Sequence, residues 1–153
     1  MGAQLPEREP DEIEVGGPVD RIRVSLRFGG SDLDPAVITR LLGVEPTFAA
    51  RTGEKIERSG RTYRQRTGVW SLSLPDSSEW ELSDAIKTLL AKVPAPAGQV
   101  RPLAAQYEGE IFCGLFLDDF SRGCDIRPDV LAALSERGLG IDFDIYATGD
   151  PAA

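Results

Sequence analysis

Six basic side chains crowd into the stretch 51–74: Arg51, Lys55, Arg58, Arg61, Arg64 and Arg66. Offset by Glu54 and Glu57, the segment 51–66 carries a net charge of +4 in a chain whose total is −8. Clustered guanidiniums recognise carboxylates and phosphates through paired, charge-assisted hydrogen bonds. Trp70 follows closely and could stack a ligand beside Arg51 or Arg66. The candidate contacts for a ligand or partner are therefore Arg51, Gly53, Glu54, Arg64, Arg66 and Trp70. Two plainer readings stand beside this one. The arginines could pair with the chain's own surplus carboxylates on a solvated hairpin, and a single Trp on the apolar side of a strand is ordinarily core.

Other chemistry is poorly provided for. The chain has no histidine, which removes the commonest metal ligand and general base. Ser-His-Asp and Cys-His catalysis are excluded. Ser31, Ser71 and Ser121 have no base of the usual kind, and the only lysines are Lys55, Lys87 and Lys92. Asp118, Asp119, Asp125 and Asp129 cluster in sequence but lack the spacing of a calcium loop. Capping of a helix by Asp125 is the expected use of that segment. No phosphate-loop motif is present. The expectation is a protein without catalytic residues, metal or cofactor.

Charge and composition narrow the setting. An acidic chain is repelled by phosphate backbones, which disfavours nucleic acid as a partner. The expected partner is a protein, basic in character, or a second copy in a homodimer. No apolar run approaches the roughly 18 residues of a membrane helix. The N-terminus lacks the basic and apolar regions of a signal peptide, and Pro6 stands where a myristoylation motif needs Ser or Thr. A cytoplasmic location is expected. Cys113 and Cys124 lack CxxC spacing, and Cys113, in an apolar run, is expected to be a small buried hydrophobe.

The elements that would position these residues can be read in order. Residues 1–19 are acidic and rich in Pro and Gly, as a disordered tail would be; the domain is expected over 20–148, with a second tail at 149–153. Arg21–Phe28 alternates apolar Ile22, Val24, Leu26 and Phe28 with polar partners, the period of a half-buried strand. Asp34 and Pro35 open a helix that Gly43 closes. The polar connection 44–68 contains the turn signal Ser59-Gly60, which predicts a projecting β-hairpin. A second strand begins at Val69, with Trp70, Leu72 and Leu74 on one face. Ser78 and Glu81 have capping-box spacing for a helix over 79–93. The segment 100–107 is ambiguous between a helical turn and an extended link. Residues 110–118 are apolar on both faces, which predicts a central strand. A helix over 128–138 and a last strand, in which Ile141, Phe143 and Ile145 alternate with Asp142, Asp144 and Tyr146, complete the chain.

Residues 30–38 and 123–131 share the pattern G-x-D-ϕ-x-P-x-V-ϕ (ϕ, an apolar residue), each after a strand and before a helix. Two such units predict an α+β, ferredoxin-like sandwich: a four-stranded antiparallel sheet with helices on one face and an extra helix between strands 2 and 3. Its strand order, 4-1-3-2, would set Asp142 and Asp144 of the last strand beside Arg23 and Arg27 of the first. Phe112, Phe116, Val69 and Tyr146 would lie on the open sheet face, as a docking or homodimer surface.

The order of these motifs also carries a resemblance. A strand is followed by Asp32-Leu33-Asp34-Pro35 and by Leu41-Leu42-Gly43. Then come Glu45-Pro46-Thr47, Arg51-Thr52-Gly53-Glu54, Gly68-Val69-Trp70 and a closing 141–146. Over about residues 20–147 this resembles the bacterial domain of unknown function 4279, with Gly43, Pro46, Gly53, Gly68 and Trp70 on its pattern. That family has no established activity. The sharpest role the resemblance implies is a toxin-neutralising, immunity-type protein or an accessory one. Beside that reading of the chain as a non-enzymatic protein-binding domain stands a small-anion-binding module built on 51–66 and Trp70.

Overall fold

The computed structural model describes residues 17–118 and 122–147. In chain order its elements are β1 (Gly17–Pro18), β2 (Arg21–Gly30), α1 (Pro35–Leu42), β3 (Phe48–Ala50), β4 (Lys55–Arg58), β5 (Arg61–Arg64) and β6 (Gly68–Ser73). They continue with α2 (Leu82–Ala91), α3 (Ala97–Gln106), β7 (Glu110–Leu117), β8 (Arg122–Gly123), α4 (Pro128–Glu136) and β9 (Gly140–Ala147). Five strands form one mixed sheet in the order β3-β6-β2-β7-β9, while β4 pairs with β5 and β1 with β8. The expected tails lie outside the described residues except for 17–19, where Gly17 and Pro18 pair with Arg122 and Gly123 and Val19 is buried.

The alternation in β2 explains the core. Ile22, Val24, Leu26 and Phe28 all lie on one face and are buried, together with Trp70 and Leu72 of β6 and Ile111, Cys113 and Leu115 of β7. The helices supply the opposing layer: Ile38 and Leu42 from α1, Ile86 and Leu89 from α2, Val100 and Leu103 from α3, Val130 and Leu134 from α4. Asp34 Oδ1 accepts from the Ala36 N–H, and Gly43 caps α1 in the left-handed conformation. The repeated Pro35 and Pro128 each sit in the first turn of a helix, where a missing N–H leaves no bond unmade. No described helix is long and apolar enough to cross a membrane.

The fold is α+β, but its sheet is not the four-stranded antiparallel one of a ferredoxin-like sandwich. There is a fifth strand, β3, and β7 and β9 run parallel. β7 is central, as its two apolar faces require, but β9 lies outside it rather than beside β2. The physical reason is the connectivity. In the second unit α4 carries the chain back, so β9 returns parallel to β7, which is the ordinary outcome of a helical crossover. In the first unit the strand that returns parallel to β2 is the short β3, because both are antiparallel to β6. The β4–β5 hairpin then reverses the chain, and β6 fills the gap between β2 and β3.

Smaller departures follow from local competition. The Ser78–Glu81 capping box does not form: α2 starts at Leu82 with Glu81 at its N-cap and no side-chain bond there. The chain is still extended at Ser77, which exchanges backbone hydrogen bonds with Ile22, and the Ser77 hydroxyl takes the Glu79 N–H. Residues 97–106 form the helix α3 despite Pro102; the carbonyl that loses its partner belongs to exposed Gly98. Asp125 does not cap α4. Arg127 holds the N-cap position, and its guanidinium reaches Glu81 and, at 2.6 Å, Asp84, tying α4 to the start of α2.

Candidate functional site: a cationic cleft beneath the β4–β5 hairpin

The hairpin predicted at Ser59-Gly60 exists, with Ile56 opposite Tyr63 and Lys55 opposite Arg64. Residues paired across an antiparallel ribbon share a face. Ile56, Arg58, Arg61 and Tyr63 therefore lie on one side; Lys55, Glu57, Thr62 and Arg64 lie on the other. The first side turns toward the open face of the main sheet. There Arg58, Tyr63 and Gln65 close over Arg23, Ser25 and Arg27 of β2, Val69, Ser71 and Ser73 of β6, Phe48 of β3, and Leu74 and Asp76, leaving a cleft of about 430 Å³.

The base of the hairpin is held by the residues that carry the family resemblance. The Arg51 guanidinium meets Asp34 at 2.7 Å. The Thr52 hydroxyl donates to the Ser31 carbonyl at 2.8 Å and accepts from the Gly68 N–H at 2.9 Å. Gly53 has φ +81, a conformation that costs glycine nothing, and its carbonyl accepts from Arg64 at 3.1 Å. Glu54 contributes its backbone, bonded to Gln65 and Arg51. A Cβ on Gly68 would stand 2.7 Å from the Gly30 carbonyl oxygen, so only glycine lets β6 approach there.

The cleft has a cationic side and a hydroxyl floor. Arg23 is engaged: its guanidinium forks onto Asp76 at 2.9 and 2.7 Å. That contact holds the Asp76 carboxyl below its ordinary value and raises Arg23. Among the described residues neither Arg27 nor Arg58 is in an ion pair. Arg27 lies 3.7 Å from the centre of the Phe112 ring, which fixes its plane and leaves its N–H groups to other acceptors. Ser25 and Ser73 share a hydrogen bond of 2.7 Å. Phe48 and Tyr63 add aromatic walls. Such a site can take a small anion between two guanidiniums, with hydroxyls for its remaining oxygens.

The sequence-predicted contacts do not converge on this cleft. Arg51, Gly53 and Glu54 belong to the hairpin's anchor, Arg64 braces the Gly53 turn, and Arg66 is exposed. Trp70 is 0% exposed; its ring packs edge-on to Phe28, and its Nε1 donates to the Thr39 hydroxyl at 3.0 Å. A ligand cannot stack on it. The residues missed are Arg23, Arg27, Arg58, Tyr63 and Gln65. Two signals could have found them: the outward parity of β2 and β6, and the shared parity of Arg58 and Tyr63 across the turn.

The rest of the open face is also altered from expectation. β7 separates Asp142 and Asp144 from the arginines of β2, so those pairs do not form. The face is not bare apolar surface either. Arg21 covers Phe116 at 4.0 Å, and Phe116 stacks on Tyr146 at 4.8 Å. Cys113 is buried and its thiol is pushed up to about 12, chiefly by desolvation; exposed Cys124 is also raised, and both are free. Of the acidic cluster, Asp119 lies outside the described residues, and among these no group of His, Cys, Asp and Glu side chains is arranged to hold a metal ion.

Neither the curated proteins nor the solved structures contain a match to the chain. The family described as Domain of unknown function (DUF4279) matches residues 20–148, a span that holds the Asp34–Arg51 contact, the Thr52 anchor and every residue lining the cleft. The chain belongs to the DUF4279 family.

Proposed function

We propose that this protein is a small-anion-binding module that works without chemical turnover, its ligand held in the cleft between Arg27 and Arg58. One observation carries the reading: two guanidiniums, neither of them in an ion pair among the described residues, line a single cleft on an otherwise acidic protein. The aromatic walls suit a ligand whose phosphate or carboxylate is attached to an apolar or planar group. Asp76, the carboxylate lining the cleft, is already committed to Arg23 and is a poor general base, which favours binding over catalysis. A thermal-shift screen with phosphorylated and carboxylated metabolites tests the proposal. A ligand that stabilises the protein should lose its effect in Arg27→Ala plus Arg58→Ala and keep it in Arg51→Ala plus Arg66→Ala. Silence across the screen, or a shift that survives the first pair, overturns it.

A second reading, a cytoplasmic protein-binding domain of the toxin-neutralising or accessory kind, is supported by a different feature, the exposed outer strand β9. The two readings use separate surfaces.

A further inference from the structure

We infer that the free edge of β9 is a docking site for an extended, basic segment of a partner protein, which joins the sheet as an additional strand. β9 is outermost: β7 lies on one side of it, and among the described residues no strand lies on the other. A strand edge with open N–H and C=O groups is a template for a further strand. Its side chains make it more than a protected edge. Phe143 and Ile145, on the helix face, stay 40% and 65% exposed, although Cys113 and Leu115 opposite them on β7 are buried. Tyr146 is 42% exposed on the other face. α4 packs on α2 and α3, and among the described residues nothing covers Phe143 and Ile145.

Charge defines the occupant. Asp142 and Asp144 alternate with the apolar residues, and among the described residues neither is in an ion pair; the Asp144 contact is a hydrogen bond from the Tyr146 hydroxyl. The Glu110 carboxyl beside this row is raised, first by burial and then by Asp142. A complementary strand alternates Lys or Arg, opposite the aspartates, with apolar residues beside Phe143 and Ile145. Opposed side chains in such a pair come within about 5 Å. The same charges work against a second copy. Antiparallel pairing of β9 with itself about a two-fold axis normal to the sheet sets carboxylates opposite or diagonal to one another in every register that uses most of the strand. The chain's net charge of −8 adds attraction for a basic partner at longer range.

The test is amide NMR on the full chain, titrated with the blocked peptide Lys-Val-Lys-Val-Lys and, as control, Asp-Val-Asp-Val-Asp. The basic peptide should shift the amides of 140–147. Its affinity should fall with added salt and be roughly fivefold weaker in Asp142→Asn plus Asp144→Asn. Arg27→Ala plus Arg58→Ala should leave it unchanged, which separates this edge from the cleft. Shifts elsewhere, an equal response to the acidic peptide, or salt-insensitive binding overturns the inference. So does a protein that dimerises through 140–147 by itself. Should the double variant fail to fold, the salt dependence and the peptide control still decide.

Discussion

The Arg51 guanidinium contacts the same Asp34 carboxylate that caps α1. One side chain thus starts a helix and ties the foot of the β4–β5 hairpin to it. The two halves of the contact should not be equal in value. Asp34→Ala removes the cap and should cost about 1 kcal/mol. Arg51→Ala removes an exposed pair and should cost well under that. Urea unfolding of the two variants checks the order.

Thr52 and Gly68 should be more sensitive. Thr52→Val leaves the Ser31 carbonyl and the Gly68 N–H without their hydroxyl partner and should cost about 1–2 kcal/mol. Gly68→Ala forces a methyl group against the Gly30 carbonyl and Leu33, with an expected loss of about 1–3 kcal/mol. Hydrogen exchange should show hairpin amides losing protection in Thr52→Val. Unchanged exchange there would mean the hairpin is held by something else.

The two tryptophans should report separately. Trp70 is sealed in the core and Trp80 is half-buried near the start of α2. In Trp80→Phe the remaining emission should be blue-shifted, resistant to acrylamide and unaffected by any anion that stabilises the protein. Quenching by such a ligand would return Trp70 to the binding surface.

The thiols should differ in the same way. At pH 8 one thiol per native chain, Cys124, should react with an aromatic disulfide reagent, slowly because its own ionisation is suppressed. Cys113, pushed up to about 12, should react only after unfolding in urea. Cys124→Ser should abolish the native reaction.

Acid stability should depend on Asp76. Its carboxyl is depressed in the folded chain by the Arg23 fork. The stabilisation is therefore complete above the unfolded value of about 3.9 and is lost as pH falls through the folded one. Asp76→Asn should lower stability at pH 7 and lose less on acidification than the parent does. Equal acid slopes in urea titrations would show that the fork contributes nothing.

Local punctuation in the sequence was a good guide to this molecule, and long-range pairing was not. Pro35, Asp34 and Gly43 marked α1 because a missing N–H, a carboxylate and a left-handed residue act within one turn. Ser59-Gly60 marked the hairpin for the same reason. β3 leaves no pattern in the sequence because three residues, 48–50, are too few to show a period. The place of β9 depended on which strand a crossover returns to, and no residue of β9 encodes that. The basic segment stands out by its charge, yet most of its cations brace the hairpin or face solvent. The cleft instead draws Arg23, Arg27, Ser71 and Ser73 from strand faces that pattern alone assigns to water. What brings them together is the fold of 51–68 back over the sheet.

The insertion of β6 between β2 and β3 also governs the order in which the chain can be completed during synthesis. Both sheet neighbours of β2, β6 and β7, are made after it. A nascent chain that ends at the hairpin has β2 and β3 but nothing to bridge them, so its apolar strand face stays open to solvent or to a chaperone. The sheet can close on one side only once 68–73 has emerged, and on the other only once 110–117 has.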